Sequence, residues 1–183
     1  MPAEACYHGE YDQSDCVAPV IAKWSSMDIV ISHQSALIYW RCFAGNITRM
    51  PRVRNPAAPA CPLHMTADLR AELAAIGFVP TADRPLDLLF SSTAVRTRTS
   101  GFRAHASTGT LPPGSLVRLS DNIAITSPEL TFALVARGTD VRRLALIGSE
   151  LCGTFVRTPP SSLLGSRPPL TTAARLQAFL REL

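Results

Sequence analysis

Short runs of apolar residues alternate with helix-type patterns in the first half of the chain. The β-branched residues 29–31 predict a buried strand. Ser32 then has the hydroxyl of a helix cap, and an apolar stripe over residues 33–43 predicts a helix packed against a sheet. A second amphipathic helix is predicted to begin at a Thr66 cap and to end at Gly77.

The middle of the chain has the two-residue periodicity of strands. Residues 86–93 predict a buried strand and residues 100–108 an exposed, alternating one. Residues 115–121 and 122–127 predict a hairpin that turns at Asp121 and Asn122. Consecutive strands with helices before and after them favour an α+β fold over a doubly wound parallel sheet. We therefore expect a small, mostly antiparallel sheet of three to five strands flanked by four to five helices.

Helical patterns return after the hairpin. Ser127 is suited to cap a helix in which Pro128, at the first position, loses no hydrogen bond. Glu129 would add negative charge at the positive end of that helix. Another helix is predicted from Thr139, and a last one over residues 172–183.

The pattern also predicts the division of the chain. Leu176, Phe179 and Leu180 give the last helix an apolar face, which predicts a homodimer through this helix because such a face is a liability unless covered. The expected segments are an irregular lead-in over residues 1–26, an α+β domain over residues 27–157, a proline-rich linker over residues 158–170 and a C-terminal helix over residues 171–183.

Composition narrows the class of protein. With 183 residues and 46% hydrophobic residues, the chain can bury a real core. The five cysteines are odd in number and irregularly spaced, and the opening residues have no apolar core, so we expect no signal peptide and reduced thiols in the cytoplasm. No apolar run approaches the roughly 18 residues of a membrane span, so no membrane partner is expected.

The charge suggests anionic partners without requiring them. The net charge is +4, and Lys23 is the one lysine among 18 cationic residues. Arginine is suited to phosphate, although a coding bias toward arginine gives the same count. Two clusters are the candidate nucleic-acid-binding residues: Arg49, Arg52 and Arg54, and then Arg96, Arg98 and Arg103.

The second cluster has the better geometry for phosphate. Guanidinium groups at every second position of an extended segment point the same way, and threonine and serine hydroxyls lie between them. Such a strip predicts salt-sensitive binding that tolerates any base sequence. The alternative is solvated loop charge.

Patterns for nuclease and zinc chemistry are weak. A restriction-type nuclease needs carboxylates and usually a D/E-x-K lysine, and Ile21 stands where the carboxylate before Lys23 would be. Cys61 and His64 have zinc-ligand spacing, but a structural site usually has two such pairs. We therefore predict no metal site.

The remaining candidates for catalysis have simpler explanations. His33 and His105 could act as bases, but partly buried histidines that make one hydrogen bond are more common. Cys152 follows Leu151 on an apolar stripe, which favours a core position over a nucleophile. No glycine-rich phosphate loop is present in the sequence. We predict no catalytic residue and no cofactor.

Four motifs occur in a familiar order: "ISHQSA" at residues 31–36, "LPPGSLV" at residues 111–117, "SPEL" at residues 127–130 and "ELCGT" at residues 150–154. Over residues 28–183 the chain resembles a family of actinobacterial proteins, common in gut Coriobacteria. Members join an AbiEi-antitoxin-like region to a C-terminal Vsr-like endonuclease-type domain. The nuclease-type domain would follow the last residues of this sequence.

The resemblance implies an isolated recognition region. We expect a non-catalytic module that binds DNA or a cognate protein in a phage-defence or toxin–antitoxin system. The alternative is a truncated or split Vsr-like endonuclease component that needs a second chain for its metal site. A decayed remnant that only folds is a third interpretation.

Overall fold

The computed structural model describes residues 28–42, 50–59, 65–91, 100–107, 109–153 and 169–183. The predictions for the lead-in, for most of the linker and for Arg49, Arg96 and Arg98 lie outside these residues. Among the helices described, none has the length and apolar character needed to cross a membrane.

Ten elements follow one another along the described chain, and they confirm the predicted α+β class. In chain order they are β1 (Ile29–Ile31), α1 (His33–Cys42), α2 (Ala67–Ala75), β2 (Leu86–Phe90), β3 (Phe102–Ala106), β4 (Leu116–Arg118), β5 (Ile123–Thr126), α3 (Pro128–Ala136), α4 (Val141–Leu151) and α5 (Ala173–Glu182).

The five strands form one sheet in the order β3-β2-β1-β5-β4. The predicted hairpin is present as the antiparallel pair β4 and β5, and β1 is antiparallel to β2. However, β1 pairs with β5 and β2 pairs with β3 in parallel. The sheet is therefore mixed, and the expectation of a mostly antiparallel sheet was wrong on this point. The hydrophobic pattern of a strand does not show in which direction the strand runs. Two strands become parallel through a long crossover connection, which the pattern of the strands themselves does not reveal.

Each face of the sheet has its own core. Ile31, Leu88 and Ile125 point to the face that packs under α1 and α2, together with the fully buried Trp40. Val30 and Leu89 are sequence neighbours of Ile31 and Leu88, so their side chains point to the opposite face of the sheet. Burial on both sides explains why β1, β2 and β5 are wholly buried.

Helix caps agree well with the sequence patterns. Thr66 accepts a hydrogen bond from the Leu69 amide, and Ser127 accepts one from the Leu130 amide. The predicted start of α4 needs a correction, because its cap is Asp140. Thr139 instead donates its hydroxyl hydrogen bond to the Val135 carbonyl, 2.7 Å away, at the end of α3.

The C-terminal helix packs on its own chain. Leu176 and Phe179 are 7% and 8% exposed, and α5 contacts α3. Leu170, which the sequence placed in the linker, is also buried in the core. Of the residues predicted to form a dimer face, Leu180 stays exposed. The expectation that this apolar face is uncovered was therefore wrong for Leu176 and Phe179, because other residues of the same chain cover them.

Candidate functional site

A buried carboxylate lies at the centre of a polar cluster on β2 and β3. Asp87 belongs to β2 and is 3% exposed. In the parallel register it lies opposite Arg103, while His105 lies opposite Leu89. Residues two apart on a strand share a face, so the sheet itself places Arg103 and His105 on the same side as Asp87.

The Asp87 carboxylate binds to groups from both neighbouring elements. Its Oδ2 accepts hydrogen bonds from the amide and hydroxyl of Ser35, at 3.3 and 3.2 Å. Its Oδ1 lies 2.8 Å from His105 Nε2 and 3.4 Å from an Arg103 guanidinium nitrogen. Ser35 Oγ also accepts a hydrogen bond from the Asp87 amide at 2.9 Å. Helix α1 and strand β3 are thus joined through one side chain.

These partners keep Asp87 ionised. Burial by itself raises the pKa of the carboxyl group. The hydrogen bond and charge of His105, the Ser35 amide and the charge of Arg103 together outweigh burial, so the pKa lies below its ordinary value. An ionised carboxylate can hold the Arg103 and His105 side chains in place.

His33 joins this cluster from the first turn of α1. Its φ is +48°, which is uncommon for a residue other than glycine, and its ring stacks on that of His105 with centroids 3.7 Å apart. Its Nδ1 lies 2.9 Å from the hydroxyl of the fully buried Ser32. Burial, followed by the charge of His105, lowers the pKa of His33 to about 4, although the charge of Asp87 opposes the shift. His33 is therefore neutral near pH 7.

A groove of about 970 Å³ runs past this cluster. His33, Asp87, Arg103 and His105 line its polar part, and we call these four residues the Asp87 cluster. Other parts of the wall come from α3, α4, α5 and the loop that begins after β3. The groove is therefore a surface shared by elements from both halves of the chain.

The three predicted arginines within the described residues, Arg52, Arg54 and Arg103, do not form one surface. Arg103 lies on β3 and its side chain is 59% exposed, whereas the Arg52 backbone pairs with Val117 of β4 at the opposite edge of the sheet. Four strand spacings separate these edges, or about 19 Å. Arg54 is exposed. Of these three arginines, Arg103 is the one that lines the groove.

Arg52 has a structural role. Its guanidinium donates to the Gly114 carbonyl and to both carboxylate oxygens of Glu129, at 3.2 to 3.4 Å. Glu129 is 2% exposed and also accepts from the Thr171 hydroxyl at 2.7 Å, with Arg175 at 3.2 Å. We call these contacts the Glu129 clamp. It connects three separate segments of the chain. The sequence predicted for Glu129 a favourable charge at the start of a helix, but not this connecting role.

Other reactive groups lie elsewhere. In the described ranges, no three His, Cys, Asp or Glu side chains are placed to hold a metal ion. Cys61 and His64 lie outside those ranges. Cys152 follows the buried Leu151 and is half-buried, and burial followed by the charge of Glu129 raises the pKa of its thiol. A raised pKa keeps this thiol protonated and weakly nucleophilic.

The sequence pattern pointed to His33, Arg103 and His105 of the Asp87 cluster, but not to Asp87, which holds Arg103 and His105. It also did not reveal that Arg52 pairs with Glu129. The pattern did contain a clue, because "LDLLF" places a carboxylate inside an otherwise apolar strand. Aspartate is rarely fully buried unless it is paired. Arg137, at the end of α3, also lines the groove and was not among the predicted residues.

Comparison of the chain with protein-family models, with curated proteins and with solved structures found no match.

Proposed function

We propose that this chain is a nucleic-acid-binding module that holds phosphate groups at Arg103 and His105. The observation that carries the proposal is the arrangement of these two side chains over one buried carboxylate. Asp87 fixes both, yet Arg103 stays 59% exposed and His105 27% exposed toward solvent. Donors fixed in this way lose little conformational entropy when they bind an anion.

The charge of the site suits a phosphate. The guanidinium of Arg103 is a permanent cation with the planar geometry that phosphate oxygens prefer. Arg137 adds a further exposed cation to the groove wall. Arg96 and Arg98 precede β3 in the sequence and belong to the proposal as further phosphate contacts. Binding through such groups would tolerate any base sequence.

The stacked histidines support binding rather than catalysis. Each ring already uses one nitrogen within the protein, since His105 Nε2 contacts Asp87 and His33 Nδ1 contacts Ser32, and the two rings lie face to face at 3.7 Å. The serines next to them are poor nucleophiles, because Ser32 is fully buried and Ser35 is 7% exposed and bonded to Asp87. Neither hydroxyl is accessible to a substrate.

The biological setting is also part of the proposal. The motif resemblance to AbiEi-antitoxin-like regions favours a bacterial defence or toxin–antitoxin system, in which DNA is the expected partner. A cognate protein is the competing partner, and the experiment below separates the two.

A filter-binding titration against duplex DNA at two salt concentrations tests the proposal. We expect the affinity to fall with salt, and Arg103→Ala to weaken binding and reduce the salt slope by about one. Arg70→Ala, which changes an exposed arginine of α2 away from the groove, is the matched control. Thermal melts establish that both variants are folded.

Three results would overturn the proposal. The first is undetectable binding of both duplex and single-stranded DNA at low salt, and the second is equal binding by the Arg103 and Arg70 variants. The third is Arg103-dependent binding of poly-glutamate without binding of DNA, which would assign the site to an acidic protein.

A further inference from the structure

The groove beyond the Asp87 cluster is built for something other than a phosphate group. Its volume of about 970 Å³ lies at the upper end of the roughly 300–1,000 Å³ range of small-molecule sites. A phosphate held at Arg103 and His105 would fill a small part of that space. The rest of the groove must therefore suit whatever is attached to the phosphate.

The wall of this remaining part is largely apolar. Leu134 of α3, Leu144 of α4 and Leu180 of α5 all line it. Leu180 is 45% exposed although it lies next to the buried Phe179. Exposed leucine on a concave surface is costly in water, and a ligand with an apolar face would cover it.

Hydrogen-bonding groups are placed among the leucines. Gln34, Ser107 and Thr110 line the same groove. A purely aliphatic ligand would leave these groups without partners, which carries a free-energy cost. A flat heteroaromatic ring would contact the leucines with its face and would form hydrogen bonds to the polar side chains with its edge.

We infer that the groove accepts an unpaired nucleotide, with its phosphate at Arg103 and His105 and its base against the leucine wall. The chain would then prefer single-stranded nucleic acid to duplex, because the faces of paired bases are stacked on one another and cannot lie against the leucine wall. This inference rests on the proposed function and specifies its ligand. Arg137, on the same wall, is placed to contact a second phosphate of a strand that follows the groove.

Fluorescence anisotropy with three labelled probes of equal length tests this inference. The probes are oligothymidylate of about 12 nucleotides, the same backbone with abasic sites, and the corresponding duplex. The abasic and duplex probes cannot lay a base on the leucine wall, so we expect both to bind at least about 5-fold more weakly than the single strand.

A pair of surface leucines provides the matched variants. Leu180→Ser removes an apolar contact from the groove, and Leu146→Ser makes the same change at a 62% exposed position of α4 away from it. We expect Leu180→Ser to weaken single-strand binding several-fold and to leave duplex binding unchanged. Leu146→Ser should change neither.

The outcomes separate this inference from the proposed function. Equal binding of all three probes, with continued dependence on Arg103, would overturn the single-strand inference and leave phosphate binding standing. Equal effects of the two leucine variants would also overturn it. If none of the probes binds at low salt, both proposals fail.

Discussion

Replacing His33 with asparagine should remove a pH-dependent part of the stability. Asparagine cannot titrate and tolerates the positive φ of this position better than most residues. In the folded chain the pKa of His33 is about 4, whereas the ordinary value is 6.5. The unfolded chain therefore binds more protons between these two values, and stability rises with pH across that window.

The size of the effect follows from the shift. A difference of about 2.5 pH units corresponds to a maximum of roughly 3.4 kcal/mol, of which about 2 kcal/mol would be lost between pH 7.5 and pH 5. The ring is partly exposed, so solvent screening reduces this figure to about 1–2 kcal/mol. The contribution is fully present above about pH 6.5 and is lost as the pH falls toward 4. The charged groups that face His33 are His105 and Asp87.

Urea unfolding at several pH values between 4 and 7.5 measures this directly. The wild type should lose about 1–2 kcal/mol more than His33→Asn on going from pH 7.5 to pH 5. Asp87 and the other carboxyl groups are common to both proteins, so the difference between the curves isolates His33. Parallel curves would refute the reasoning, as would an NMR titration that places the pKa of His33 near 6.5.

Two further predictions concern the structural contacts. Glu129→Gln should destabilise the fold by about 2–4 kcal/mol because it leaves the cations of the Glu129 clamp without their charge partner. Glu150→Gln, at a surface pair with a 2.8 Å contact, should cost at most about 1 kcal/mol; equal costs by urea unfolding would contradict the assigned role of the clamp. Phe179→Ala should cost about 3–5 kcal/mol and Leu183→Ala under about 0.5 kcal/mol, because the first is buried within the chain and the second is 59% exposed. Two results together would restore the predicted dimer through α5. Phe179→Ala would have to be as stable as Leu183→Ala, and light scattering would have to show a dimer for the wild type and a monomer for Phe179→Ala.

Local structure was predictable where a single side chain decides it. Thr66 and Ser127 have hydroxyls suited to free amides, and both cap helices as expected. The turn at Asp121 and Asn122 likewise closes the β4–β5 hairpin. Each of these features depends on residues within a few positions of one another, so the sequence pattern contains the whole cause.

The site was not predictable in the same way. Asp87 and Ser35 are far apart in the sequence, and their contact depends on β1 and β2 being neighbours in the sheet. His105 reaches Asp87 because β2 and β3 are parallel and in a particular register. Strand order and direction come from long-range packing, which hydrophobic periodicity does not record. The sequence shows the individual residues of the site, but it does not show which of them lie close together in the fold.

The two buried carboxylates differ in what their ion pairs accomplish. The partners of Glu129 come from segments distant in the sequence, so its contacts join α3 to the segments that carry Arg52 and Arg175. Arg103 and His105 both lie on β3, which the backbone hydrogen bonds already hold against β2. Binding β3 to β2 therefore does not explain why the ionised Asp87 is buried against Arg103 and His105, at the desolvation cost that any buried charge carries. Holding those two side chains in fixed positions at the groove does explain it, and this contrast makes the Asp87 cluster the better candidate for function.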